Sequence, residues 1–164
     1  MGRRLDLQTQ PVGNAQMKIR PATRSDATIL AGMQADLADE GILKGYQPDS
    51  AGQWSARDMQ HTFLACDGKE PVGFIYSAPR PFEGECVFPK DARIIELVEL
   101  YVCPEYRRVG LGRKLVKAAE LDARQSGFTH LRVYSSSCHF DAIVSFYRSC
   151  GFDPWYVEMT RSLS

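Results

Sequence analysis

The sequence lacks most of the features that mark specialised chains. Its 20 basic and 20 acidic side chains cancel to a formal net charge of zero, so no overall field draws it to nucleic acid or to a membrane surface. No apolar run approaches the roughly 20 residues that cross a bilayer. The five cysteines, Cys66, Cys86, Cys103, Cys138 and Cys150, are odd in number and include no C-x-x-C pair. That argues against a disulfide framework and against any metal site, and for a reducing, cytoplasmic setting. Residues 1–16 have no apolar stretch behind Arg3 and Arg4 and do not read as a secretory signal. Gly2 does not open a myristoylation signal, because Asp6 stands where Ser or Thr is required. We read residues 1–16 as a flexible extension and residues 17–164 as a single domain, large enough to bury its own core.

Within that domain the hydrophobic spacing is clear. Met17 to Pro21 reads as a strand. Thr23 and Asp26 have capping-box spacing, and Ile29, Leu30, Met33 and Leu37 recur at helical intervals. The spacing predicts a helix over Ser25–Asp39, ended by Gly41. A loop over 42–53 and a short helix over Ser55–Thr62 follow. Phe63–Cys66, the turn Asp67-Gly68 and Pro71–Ala78 form a hairpin. Arg93–Val102 is apolar enough to be a central strand covered on both faces. Leu111–Ser126 is a second long helix, Thr129–Ser135 a strand, Asp141–Ser149 a helix, and Phe152–Thr160 a last strand. This order fits an α/β (α+β) domain with a mixed sheet and helices on both faces.

The junction between the central strand and the second long helix carries chemistry. Arg107-Arg108-Val109-Gly110-Leu111-Gly112 is a glycine-containing turn that opens a helix, where free N–H groups and the positive end of the dipole suit phosphate. Between Pro104 and Lys117 there are five basic side chains against Glu105 alone, a local excess of four positive charges on a neutral chain. A P-loop is excluded because G-x-x-x-x-G-K-[ST] is absent. A dinucleotide fingerprint is excluded because its third glycine would fall at Leu115. What remains is either a pyrophosphate site or a plain glycine turn between a strand and a helix.

The flanking residues decide between these. Leu100 to Gly112, with Arg107, Gly110 and Gly112 at R/Q-x-x-G-x-G/A spacing, closely resembles the acetyl-CoA signature of the GNAT superfamily of N-acetyltransferases. Phe146-Tyr147-Arg148-Ser149-Cys150-Gly151-Phe152 resembles that family's second element, F-Y-x-x-x-G-F, and Ile19 to Asp26 resembles its usual start. The likeness runs from about Met17 to Met159. One position departs: Phe140 stands where the family often has Asn, and His139 is the neighbour that would take over its contact.

The resemblance implies a mostly antiparallel mixed sheet, splayed between two central parallel strands. Acetyl-CoA would be the co-substrate. Its pantetheine arm would lie along Leu100, Tyr101 and Val102, and its pyrophosphate on the turn Arg107, Arg108, Val109, Gly110, Leu111, Gly112 and Arg113. Tyr147 matches the family's general acid for the leaving thiolate. Glu96 and Glu99, in an otherwise apolar strand, are the candidate bases, with Glu99 favoured as the one closest to the splay. Strict alternation puts the two on opposite faces. An alkyl ammonium must lose a proton before it can attack. With a pKa of about 10.4, this costs about 4.6 kcal/mol at neutral pH, so a base is useful.

The acceptor would be a primary amine. Asp36, Asp39, Glu40 and Asp49 around the first loop, and Glu83, Glu85 and Asp91 in the loop over 79–92, favour a small cationic one. A protein or peptide N-acetyltransferase and a non-catalytic CoA-binding module are the rivals. Family members are frequently dimers, which makes a homodimer the implied assembly. His61 and His130 read as surface residues, Cys150 as packing, and Cys138-His139 as neighbours pointing apart.

Overall fold

A computed structural model describes residues 17–43, 45–85, 87–135, 139–155 and 161. The chain runs β1 (Met17–Pro21), a 3₁₀ turn at Arg24–Asp26, α1 (Ala27–Asp39), α2 (Ala51–Ala56), β2 (Thr62–Asp67), β3 (Glu70–Arg80), β4 (Ile94–Val102), a second 3₁₀ turn at Pro104–Tyr106, α3 (Leu111–Gln125), β5 (His130–Val133) and α4 (Phe140–Ser149). The strands lie in the order β1-β2-β3-β4-β5. All pairings are antiparallel except β4 with β5, which is parallel.

Two cores sandwich the sheet. Leu30, Met33 and Leu37 of α1 pack with Trp54, Leu64, Phe74 and Tyr101 on one face. Leu111, Leu115, Val116 and Ala119 of α3 pack with Ala65, Ile75 and Leu97 on the other. The mixed sheet with a helix on each face agrees with the sequence reading. Asp26 accepts from the Thr23 amide at 2.8 Å and pairs with Arg20 at 2.7 Å, anchoring the start of α1 to β1.

Several expectations change here. The short helix is α2 at Ala51–Ala56, not Ser55–Thr62. Its start is a Ser50/Gln53 capping box: Ser50 N–H donates to Gln53 Oε1 at 2.8 Å, and Ser50 Oγ accepts from the Gln53 amide at 3.3 Å. His61 is buried rather than at the surface, with Nδ1 2.6 Å from Asp122 Oδ2 on α3. The expected last strand, 152–160, lies mostly outside the described residues, and Phe152 to Trp155 are not in a strand.

β4 carries the candidate residues Glu96, Glu99, Leu100, Tyr101 and Val102. Its register against β3 slips once: Glu99 lies opposite Tyr76 and Leu97 opposite Ser77, so Val98 has no partner. This bulge bends the strand and reverses its alternation. Ile95, Leu97, Leu100 and Val102 therefore all turn toward α3, whereas Glu96, Glu99 and Tyr101 share the α1 face. The expectation that Glu96 and Glu99 lie on opposite faces is corrected by that one extra residue.

Candidate active site

β4 pairs with β5 only from Ile94↔His130 to Leu97↔Val133. Beyond Leu97 the edge of β4 that faced β5 has no strand beside it among the described residues. On the other edge, Cys103 N–H bonds Val72 O at 2.9 Å. By alternation, the backbone groups of Leu100 and Val102 turn to the open edge. An amide-bearing chain laid in this gap finds backbone donors and acceptors there. One of these groups is already engaged, since Val102 O accepts from Arg107 Nε at 2.7 Å.

The glycine turn sits at the far end of the gap. Arg108 and Gly110 both have positive φ, +66° and +83°. No side chain caps α3. Its first helical bond runs from Lys114 N–H to Gly110 O, leaving the amides of Leu111, Gly112 and Arg113 ahead of it. Val109 is exposed at the tip. Successive free amides at a helix start, with Arg108, Arg113 and Lys114 around them, make a cradle for an anion. Arg107 turns away from it. Its guanidinium pairs with Glu40 at the end of α1 and lies 5.6 Å from the Tyr101 ring.

The two sequence motifs meet at Gly112. A Cβ there would stand 3.2 Å from Phe146 Cζ, so glycine at this position admits the ring from α4. The adjacent Tyr147 stacks edge-on between Phe146 and Phe152, at 5.0 and 5.4 Å between centroids. It packs against the core on the α3 face. Burial pushes its phenol up to about 12, so it holds its proton at neutral pH. His139 is exposed at the cap of α4, with Phe140 exposed beside it.

On the opposite face, Glu99 enters a network that sequence reasoning missed. Gln34 Nε2 donates to its two carboxylate oxygens at 2.8 and 2.6 Å, and Tyr46 Oη donates at 3.0 Å. Burial nonetheless raises the pKa of Glu99, against the pull of those donors. Glu96 has a different setting. Arg80 lies 3.1 Å from one oxygen and Arg132 2.6 Å from the other, and Arg132 also bridges to Glu85 at 2.9 Å. Asp49 is likewise committed, to Arg57 at 2.6 Å. Of the other acidic side chains expected at the first loop, Asp36, Asp39 and Glu40 line a cleft of about 400 Å³ together with Glu105, Tyr101 and Cys103, with Glu40 paired to Arg107. Among the described residues no His, Cys, Asp and Glu side chains group as metal ligands would.

A family model described as the acetyltransferase (GNAT) family matches residues 32–152, which includes the strand, the glycine turn and the Phe-Tyr motif. The chain belongs to this acetyltransferase family. It is an acetyl-CoA-dependent N-acetyltransferase, with acetyl-CoA as co-substrate. A curated relative of this GNAT chain is an aminoglycoside N(6')-acetyltransferase type 1 from Klebsiella aerogenes. It is 32% identical over 114 residues, 68% of this chain and 73% of the relative. Among solved structures, the GNAT domain resembles an aminoglycoside acetyltransferase from an uncultured soil metagenomic sample, in complex with trehalose. The TM-score is 0.69 at 19% identity, covering 92% of this chain and 99% of that one. It also resembles the aminoglycoside N-acetyltransferase AAC(6')-Iy in complex with CoA, with a TM-score of 0.69 at 17% identity, covering 90% and 95%. At these identities the structural likeness speaks to the fold alone.

Proposed function

We propose that this acetyltransferase acetylates a primary amine of a small, multiply cationic molecule, by direct attack while both substrates are bound. The observation that carries the reading is Glu99: a desolvated carboxylate, raised in pKa, one residue past the bulge where β4 parts from β5. Tyr147 stands on the other face of the sheet. A thioester lying in the gap is flanked by a base on one side and an acid on the other.

The step balances as follows. Glu99 takes the proton that keeps the ammonium from reacting. The freed nitrogen bonds to the thioester carbonyl carbon, and the C–S bond breaks with its electron pair on sulfur. The sulfur takes the phenolic proton of Tyr147, and the second nitrogen proton returns to the tyrosinate through solvent. A matched acid or base contributes typically ~10²–10⁴-fold. Leu100 and Val102 hold the pantetheine amides. The amides of Leu111, Gly112 and Arg113, with Arg108, hold the pyrophosphate, and Val109 and His139 border it. Glu96 is the structural partner of Arg80 and Arg132 and fastens β5 to β4.

The acceptor assignment rests on the cleft in which Asp36, Asp39 and Glu105 stand beside the Arg107-paired Glu40. The aminoglycoside acetyltransferase relative supports the same choice. A thiol-release assay with sisomicin, simple polyamines and lysine peptides tests it. Turnover of sisomicin or a polyamine well above the peptides is expected, and a preference for peptides overturns the assignment.

A further inference from the structure

Gln34 has no exposed surface and sits in the apolar stripe of α1, between Leu30, Met33 and Leu37. A carboxamide there has four hydrogen-bonding capacities to satisfy. Its Oε1 accepts from the Asp49 amide at 2.8 Å and from Trp54 Nε1 at 2.9 Å. Both partners are pure donors, so the amide has one possible orientation. Nε2 is thereby turned onto both oxygens of Glu99, with Asp49 Oδ2 more distant at 3.5 Å.

We infer that Gln34 is the positioning residue for acetyl transfer: locked by Asp49 and Trp54, it fixes the Glu99 carboxylate in one orientation and keeps it ionised until substrate arrives. This rests on Glu99 being the base. Nε2 can only donate, so it favours the carboxylate over the acid and opposes the desolvation that favours the acid. The titratable groups around Glu99 are Tyr46 and Asp49 from the α1–α2 connection, Arg57 after α2, and Tyr76 opposite it on β3. Of these only Tyr46 touches the carboxylate, and its hydroxyl can turn to accept when Glu99 becomes protonated. Gln34 cannot turn, so it sets the proton affinity of the pair.

The experiment is a carboxyl ¹³C titration of the full chain, with the Glu99 signal identified by its loss in Glu99→Gln. Gln34→Leu is expected to raise the Glu99 midpoint by about one to two pH units, the equivalent of one hydrogen bond to a charged group. Gln34→Glu retains an acceptor for Asp49 and Trp54 and places two carboxyls together. They should titrate as a coupled pair, with one midpoint above that of wild-type Glu99. An unmoved Glu99 midpoint in either folded variant overturns the inference. Should neither variant fold, the wild-type chain decides. The Gln34 side-chain amide protons are expected to shift with the Glu99 midpoint, and a flat response overturns the inference. With sisomicin as acceptor, the acid limb of kcat/KM should move in step with the midpoint. If Glu99→Gln keeps the wild-type acid limb, the base assignment fails instead, whatever the titrations give.

Discussion

Glu96 and Glu99 share one face of β4 because Val98 between them is left out of the pairing with β3. Two carboxylates three residues apart thus share a face but have different partners. Glu96 is clamped between two guanidinium groups, whereas Glu99 is held by neutral donors. Glu99→Gln should lower kcat by about 10²-fold or more and flatten the acid limb of the pH–rate profile. Glu96→Gln should leave that limb in place and cost roughly 1–3 kcal/mol of stability, since Arg80 and Arg132 are partly solvated. Kinetics beside urea denaturation separates the two outcomes.

Tyr147 packs through its ring, so removing the hydroxyl leaves the aromatic contacts intact. Tyr147→Phe is expected to reduce kcat by ~10²–10⁴-fold with KM for acetyl-CoA nearly unchanged. The wild-type enzyme should show no alkaline loss from this group until pH approaches its value of about 12. A Tyr147→Phe enzyme of undiminished rate would remove the acid from the mechanism.

Gly112 faces the Phe146 ring so closely that an added Cβ would stand 3.2 Å from Cζ and the ring would have to give by a few tenths of an ångström. Gly112→Ala should destabilise the chain by about 1–3 kcal/mol and weaken acetyl-CoA binding. Adding Phe146→Leu should recover part of that loss. A double-mutant cycle with no interaction energy would separate the two motifs.

Asp26 is held down to about 2 by the Arg20 guanidinium and by the amide and hydroxyl of Thr23. Its folded-state pKa lies below the ordinary value of 3.8. The stabilisation is therefore complete above about pH 4 and lost as pH falls toward 2. Allowing for the half-exposed Arg20, Asp26→Asn should cost about 1–2 kcal/mol at pH 7 and little once the pH falls below about 2. Denaturant midpoints across that range check the sign.

Elements defined by spacing were legible in the sequence. The Leu30/Met33/Leu37 stripe, the Asp67-Gly68 turn and the apolar run of β4 each gave an element in its observed place. The glycine turn and the Phe-Tyr motif mark the family in the sequence itself. What failed were matters of count and of partner. Alternation along β4 assumes an unbroken ladder, and nothing in Glu96-Leu97-Val98-Glu99 marks which residue is left out of it. The start of α2 is signalled by the S-x-x-Q of Ser50–Gln53, within a stretch whose Gly45, Pro48 and Gly52 otherwise read as loop. Gln34 did leave a signal: a polar side chain one residue from Met33 on the buried stripe. Its partners lie 15, 20 and 65 residues away in sequence. A distant partner is supplied by the sheet, not by local pattern. The burial of His61 is hidden from local pattern for the same reason, since its partner Asp122 is 61 residues distant.

The bond between Arg107 and Glu40 bears on how acetyl-CoA would meet the proposed turn. The turn has five cations in sequence, but Arg107 is committed to Glu40 and Lys117 to Glu120. Arg108, Arg113 and Lys114 are left without an ion pair among the described residues. At physiological ionic strength such a small cluster acts within about 8 Å. Encounter with acetyl-CoA should then be governed by docking geometry more than by long-range steering. Raising the salt concentration should quicken release more than it slows capture.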